Sequence, residues 1–342
     1  MRYAYSLLVF LLSILVTYSQ AKPKYTIAVI PKSTNHIYWD YVHVGAKQAA
    51  KELNINISWA GPRDESQSQV GYVQRMLESN ISALVIAPNH QSNLVPITEQ
   101  LVASGVKVVL IDSGMDGSGY SSFIATDNYQ AGSQAGEYLA KLLNQQGHIM
   151  LLRYKQGNSS TMLREQGFLD TMKKYPGLTL VYDDYVGTSV GSTYHTLLRV
   201  FKNIPKVDGI FAPNESSTTG LIRALKKKGL SSKVKTVGFD ISQELAKAIK
   251  RGKLNGTMLQ QPIEIGYLGV KQAYEILENK AKTNKEKIFT EAILITRKNI
   301  NSKDIKPLLY ISSKKGKSNH ANTEDLLAKF FVLLRLLYQR GQ

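Results

Sequence analysis

From Tyr25 onward, short apolar runs rich in β-branched residues alternate with stretches of helical spacing. This alternation constrains the fold more than any other feature of the chain. Strand signals fall at Tyr25–Ile30 (YTIAVI), Asn56–Ala60, Ala83–Ala87, Val106–Ile111 and Phe123–Ala125. Helical spacing fills Asp40–Leu53, Ser66–Ser79 and Leu94–Ser104, the last closed by Gly105. The pattern then restarts. Helices are expected at Tyr129–Leu143, Thr161–Tyr175, Ser192–Asn203, Thr218–Lys228, Gln243–Arg251 and Pro262–Asn279. Between them lie strand signals at His148–Leu152, Leu178–Tyr182, Gly209–Ala212, Lys235–Phe239 and Gly256–Leu259. Strands separated by helices build parallel sheets covered on both faces. Two such series predict an α/β protein of two doubly wound parallel-sheet lobes, and 342 residues are enough for two cores.

The chain has no cysteine, which excludes disulfides, thiolate metal sites, cysteine nucleophiles and a lipid-modified N-terminal cysteine. Arg2, the apolar run Leu7–Val16 and the small residues of Ser19-Gln20-Ala21 read as a cleavable export signal over 1–21. The apolar run is too short for a comfortable membrane span, and an uncleaved anchor is the competing reading. The net charge of +17 is uneven. Lys22–Asp127 holds eight basic and nine acidic residues, Asn128–Glu264 nineteen and ten, and Ile265 to the end fifteen and seven, with Arg2 the remaining cation. No basic run is interleaved with aromatics, so a solvated basic face is expected and nucleic acid is not.

In open parallel sheets, ligands sit beyond the carboxyl ends of the strands. The first series places Ser33–Trp39, Asp112-Ser113 and Thr126-Asp127-Asn128 there. The second places Arg164 at a helix start, then Asn214, Asp240 and Gln260 after strands. Planar carboxylate, amide and guanidinium groups can each bind two neighbouring hydroxyls, and an aromatic face covers the C–H face of a sugar ring.

Ser33 to about Asn299 resembles the ribose- and galactose-type periplasmic sugar-binding proteins, whose domain is also the effector-binding part of lac-repressor-type regulators. The resemblance is carried by Thr34-Asn-His-Ile-Tyr-Trp39, Leu110-Ile-Asp112, Ala125-Thr-Asp-Asn128, Arg164-Glu-Gln-Gly-Phe168, Phe211-Ala-Pro-Asn214, Val237-Gly-Phe-Asp240 and Leu259-Gln-Gln-Pro262, seven motifs in the family's order. It implies the type I periplasmic binding fold, with a three-strand hinge crossed near Asp127, Gln261 and Glu291. One lobe would then be 24–126 plus 261–291 and the other 127–260 plus 292–301. By the same resemblance Tyr38 and Trp39 stack on a sugar ring, while Asp112, Arg164, Asn214, Asp240 and Gln260 bind its hydroxyls. His36, Ser113 and Asp127 complete the candidate ligand-binding set. Two departures from ribose binders stand out: Ser113 follows Asp112 where arginine is usual, and His36 stands where asparagine is frequent. A different pentose, a hexose, inositol or another polyol is therefore expected. The implied partners are a small sugar or polyol and a membrane protein, either the permease of an ATP-binding-cassette transporter or a sensor kinase. The expected protein is a periplasmic monomer without cofactor or metal.

Each candidate has a plainer reading. Tyr38 and Trp39 could be helix-entry core, and His36 a local hydrogen-bond partner. Asp112, Asp127, Asn128, Asn214 and Asp240 could cap turns or helices. Arg164 could pair with Glu165 or Asp170, and Gln260 could bridge strands. Gly187-Thr-Ser189-Val-Gly191 matches a nucleophile elbow, but His195 follows too soon and His320 lies in the tail, so a glycine-rich helix start is preferred and no enzyme is expected. No Gly-x-Gly-x-x-Gly follows the first strand, and no Walker loop or His-Glu-x-x-His occurs. Residues 302–342 read as a basic extension ending in the apolar helix candidate Leu326–Tyr338, which could dock on a partner, lie on a membrane surface or pack against its own lobe, with partner or membrane contact preferred.

Overall fold

The computed structural model describes residues 23–65, 67–204, 206–281, 285–303 and 305. The export-signal reading, the apolar tail segment and His320 lie outside them.

The two series become two six-stranded sheets. The first has the order β11-β5-β4-β3-β1-β2, formed by Thr26–Ile30 (β1), Asn56–Trp59 (β2), Ala83–Ile86 (β3), Lys107–Ile111 (β4), Ser122–Thr126 (β5) and Glu286–Thr290 (β11). The second has the order β12-β10-β9-β8-β6-β7. Its strands are Gly147–Arg153 (β6), Leu178–Tyr185 (β7), Gly209–Phe211 (β8), Lys235–Phe239 (β9), Gly256–Leu259 (β10) and Ile293–Thr296 (β12). Lobe one carries helices Ile37–Leu53 (α1), Val70–Leu77 (α2) and Val95–Ala103 (α3). Lobe two carries Asn128–Leu142 (α4), Ser159–Met172 (α5), Val190–Asn203 (α6), Glu215–Lys227 (α7) and Gln243–Lys250 (α8). The last helix, Pro262–Leu277 (α9), follows β10 of lobe two and packs in lobe one.

Each sheet has apolar clusters on both faces, which is why its central strands read as unbroken apolar runs. In lobe one, Ile27 and Val29 face the α1/α9 side while Ala28 and Ile30 face the α2/α3 side. In lobe two, Ile149 and Leu151 face α4/α5 while Met150 and Leu152 face α6/α7.

All ten strand readings and all nine helix readings correspond to elements, with ends moved by a few residues. The largest shift is in the second helix, which begins at Val70 rather than Ser66. Strands β11 and β12 were not read from the apolar pattern, because both are short edge strands with exposed or half-buried residues. They also break the symmetry between the sheets. β11 joins β5 in parallel, whereas β12 joins β10 antiparallel. The chain passes between the sheets after β5, after β10 and between β11 and β12.

The lobes are related by an internal correspondence. A methyl group at Gly45 on α1 would run into the Ile263 carbonyl of α9, and one at Gly266 into the Val42 carbonyl. In lobe two, a methyl at Gly167 on α5 would meet the Tyr129 carbonyl of α4, and one at Gly132 the Arg164 carbonyl. The same close helix crossing, with a glycine contact from each helix, is thus built twice. The offset that carries Gly45 to Gly167 also carries Val42 to Arg164, His36 to Asn158 and Lys32 to Tyr154.

Candidate functional site

The carboxyl ends of both sheets face each other across a cavity of about 480 Å³, inside the roughly 300–1,000 Å³ range of small-molecule sites. His36, Tyr38, Trp39, Asp112, Arg164, Asn214, Asp240 and Gln260 all line it.

Lobe one contributes an aromatic wall and an ion pair. His36 caps α1, its Nδ1 accepting from the Tyr38 amide, so Nε2 is left to donate to Glu215 of the other lobe at 3.2 Å. The cap sets the first helical turn, and with it Tyr38 and Trp39, whose rings meet edge to face at 4.9 Å. Both are buried, and both also belong to the lobe-one core cluster. The Tyr38 hydroxyl donates to Asp112 Oδ1 at 2.8 Å. Lys32, just after β1, lies 2.7 Å from Asp112 Oδ2 and is only 3% exposed. Burial alone would raise the Asp112 carboxyl, but Lys32, Arg164 and the Tyr38 hydroxyl reverse this and hold it below its ordinary range.

Lobe two contributes a carboxylate without such a partner. Asp240 follows β9 as Asp112 follows β4, and both adopt φ 63°, a left-handed conformation in which aspartate is tolerated. Gln260 Nε2 donates to Asp240 Oδ1 at 2.6 Å, while Gln260 Oε1 accepts from Thr126 of lobe one at 2.9 Å. Burial raises the Asp240 carboxyl, and Arg164 and Gln260 only partly oppose it. Arg164 is 2% exposed, donating from Nε to Asn128 at 2.7 Å and from NH1 to the Pro213 carbonyl at 2.9 Å. Its guanidinium stacks 3.7 Å from the Phe239 ring centroid. Neither suggested surface pairing of Arg164 occurs: Asp170 holds Lys173, and Glu165 accepts from Arg153 and the Tyr154 amide. Asn214 caps α7 and also lines the cavity, so the two readings of that residue coexist.

Two expected residues stand elsewhere. Asp127 is exposed, caps α4 through the Gln130 amide and does not line the cavity. The neighbouring Asn128 is the inward-facing residue, because the first turn of α4 directs it toward Arg164. Ser113 lies behind Asp112 and donates across the lobes to Ser160 at 3.0 Å. The cavity also takes in residues the sequence pattern did not single out, among them Lys32, Glu65, Tyr154, Asn158, Ser160 and Glu215. Lys32 reaches Ser160 at 3.1 Å, and Tyr154 donates to Glu65 at 3.2 Å. With the His36–Glu215 pair, these contacts join the two lobes directly. Ser189 of the nucleophile-elbow pattern caps α6 in a reciprocal box with Ser192, while His195 packs against the Tyr194 ring.

Residues 27–281 match the periplasmic binding protein domain family. The chain belongs to that family. Relatives of this periplasmic binding protein include the ribose import binding protein RbsB of Bacillus subtilis, 26% identical over 260 residues, covering 76% of this chain and 84% of RbsB. The D-allose-binding periplasmic protein of Escherichia coli is 26% identical over 254 residues, covering 71% and 82%. Among solved structures, the periplasmic component of an ABC-type sugar transport system from Hahella chejuensis superposes with a TM-score of 0.76 at 32% identity, covering 79% of this chain and 99% of that one. The fold is the type I periplasmic binding fold, and the family's members are binding proteins rather than enzymes.

Proposed function

We propose that this periplasmic binding protein captures a neutral monosaccharide or related polyol between its lobes and delivers it to an ATP-binding-cassette importer from the periplasm. The observation that carries the reading is the pair Asp112 and Asp240, set on opposite sheets around one cavity with Arg164 and the Trp39 ring. Hydroxyls both donate and accept, so they can satisfy carboxylates, amides and a guanidinium together. Both cations are already engaged, Lys32 by Asp112 and Arg164 by Asn128 and Pro213, which disfavours an acidic sugar. The relatives named for ribose and allose import support a pentose or hexose of this kind. Tyr38, Trp39, Asp112, Arg164, Asn214, Asp240 and Gln260 are the proposed contacts. The three passages near Asp127, Gln261 and Glu291 form the proposed hinge, and ligand contacts with both lobes favour closure of the monomer.

The test is thermal unfolding of the chain from Lys22 against pentoses, hexoses, inositols, uronic acids and amino acids. A ligand at about a hundred times its dissociation constant stabilises by roughly 2.7 kcal/mol. A clear upward shift with one neutral sugar or polyol is expected. A shift confined to amino acids or uronic acids would overturn the ligand class.

A further inference from the structure

The second half of the chain carries most of the net positive charge. The structure gathers much of it at one end of lobe two. Strands β8, β9 and β10 begin there, and helices α7 and α8 finish there, opposite the end that carries Asn214, Asp240 and Gln260. Lys226, Lys227 and Lys228 close α7. Lys247, Lys250 and Arg251 close α8. Lys233 and Lys235 lead into β9, and Lys253 leads into β10. None of these nine cations forms an ion pair among the described residues. Between Lys226 and Lys253 the only acids are Asp240 and Glu244. Asp240 is in the cleft, and Glu244 sits in the first turn of α8, tied to Arg223.

The matching end of lobe one is less densely charged, with one cation each in the last turns of α1 (Lys51) and α2 (Arg75). Helix α3 has no cation in its last turn, and Lys107 is the only cation from Ala103 to Ser122. Favourable interaction with helix carboxyl ends accounts for the last-turn lysines of α7 and α8. It does not account for Lys233, Lys235 and Lys253, which are not on helices.

A second observation points the same way. β12 runs antiparallel to β10, from Ile293 opposite Leu259 near the hinge to Thr296 opposite Gly256. The chain therefore emerges at the basic end, where Ile300 and Ile305 pack in one cluster with Ile249 and Leu254 of the α8 region. The sequence then continues through Lys306, Lys314, Lys315 and Lys317 to Leu326–Tyr338, in which eleven of thirteen residues are apolar.

We propose that this end of lobe two is a docking surface for an anionic lipid bilayer. Eight of the nine cations are lysines, diffuse point charges that suit a fluid anionic surface, whereas tight phosphate sites favour arginine forks. Single-stranded nucleic acid would need stacking aromatics among the cations, and the sequence of this region has none between Lys226 and Gly238.

The test is co-sedimentation of the chain from Lys22 with vesicles of pure phosphatidylcholine and of equimolar phosphatidylcholine and phosphatidylglycerol, at low and high salt. Binding to the anionic vesicles, released by salt, is expected. The triple variant K226E/K228E/K250E weakens it by at least about tenfold, and K226Q/K228Q/K250Q weakens it by an intermediate factor. All three positions are exposed and remote from the cleft, so the shift in melting temperature with sugar stays that of the parent; the melting temperature itself falls modestly, more for the glutamates than for the glutamines, because the cations at the helix carboxyl ends are lost. Equal binding to both vesicle types, parent-like binding by the triple variants, or binding to single-stranded DNA in place of vesicles would each overturn the proposal. A failed sugar assignment would leave this result untouched.

Discussion

Asp112 and Asp240 occupy the same place in the two lobes, yet their surroundings differ. Each follows the third strand from one edge of its sheet, with the same left-handed backbone. Asp112 is closed off by Lys32, Tyr38 and Ser113, and it is held ionised. Among the described residues Asp240 receives only Gln260 as a hydrogen-bond partner of its side chain, and its carboxyl is pushed up. The internal correspondence shows how the difference arose in physical terms. Where lobe one has the core residue Val42, lobe two has Arg164; where lobe one has Lys32, lobe two has Tyr154. One lobe therefore keeps its carboxylate satisfied before any ligand arrives. The other keeps hydrogen-bonding capacity in reserve, which under the proposed function a ligand hydroxyl would complete.

The largest effect should come from removing each aspartate in turn. Asp112→Ala leaves Lys32 buried without its partner, which typically costs about 3–5 kcal/mol. Asp240→Asn removes a carboxylate that burial already disfavours, and its unfolding free energy without ligand should stay within about 1 kcal/mol of the parent. Both should lose sugar affinity. Urea unfolding of the ligand-free proteins separates them, and equal losses would break the contrast between the lobes.

Next in size are the helix crossings. Gly45→Ala and Gly132→Ala each force a methyl into a facing carbonyl, with a cost of about 1–3 kcal/mol or more. The carbonyl met by Gly132→Ala belongs to Arg164, so only that variant should also weaken sugar binding. Denaturant unfolding combined with a sugar titration reads both effects. Parent-like affinity in Gly132→Ala would detach Arg164 from the site.

The smallest effects concern His43 and Glu165, which occupy matching positions on α1 and α5. Burial depresses the His43 pKa to about 4, and Lys47 adds to this. Burial raises Glu165 to about 7, against the Tyr154 amide and Arg153. Below its ordinary pKa near 6.5, the unfolded chain binds a proton that folded His43 refuses, so stability falls as pH drops from 6.5 toward 4. Glu165 holds its proton in the folded state after the unfolded chain has lost it, so stability falls as pH rises from about 4.5 to 7. The two slopes oppose each other in the parent. Relative to the parent, Glu165→Gln should tilt the stability curve upward with pH over that window and His43→Phe should tilt it downward, each by about 1–2 kcal/mol after allowance for solvent screening, while Glu264, also raised to about 7, keeps its own falling slope in both. Melting temperatures across pH 4–8 test this, and unchanged curves in both variants would contradict it.

The lobes were legible because buried parallel strands leave an unmistakable apolar run, and the residues just beyond β4, β9 and β10 could be named from position alone. Asp112 and Asp240 were named by that rule and Trp39 by the segment after β1, whereas Arg164 was read at a helix start and given its role by the resemblance; it stands instead in the second turn of α5, from which it reaches the cavity. Lys32 escaped it although it directly follows β1, because Pro31-Lys32 ends an apolar run without any pattern of its own. Glu65 and Tyr154 follow β2 and β6 and were passed over for the same reason. Asp127 and Asn128 could not be ranked from sequence, since the direction of a side chain at a helix start depends on how the cap forms. Strands β11 and β12 owe their pairing to the opposite strand rather than to their own composition.

The central claim is that a neutral sugar sits between Asp240 and Trp39. Trp39 lines the cavity, and Trp59 lies on β2, stacked on His43. A Trp59→Phe variant therefore carries a single tryptophan reporter in the cleft. Its fluorescence should change saturably with the sugar that gives the largest thermal shift, and the same titration in the Asp240→Ala background should weaken by about a hundredfold or more, the loss typical of a buried hydrogen-bonded charge. An unchanged affinity in that background would place the ligand outside the cleft and contradict the account.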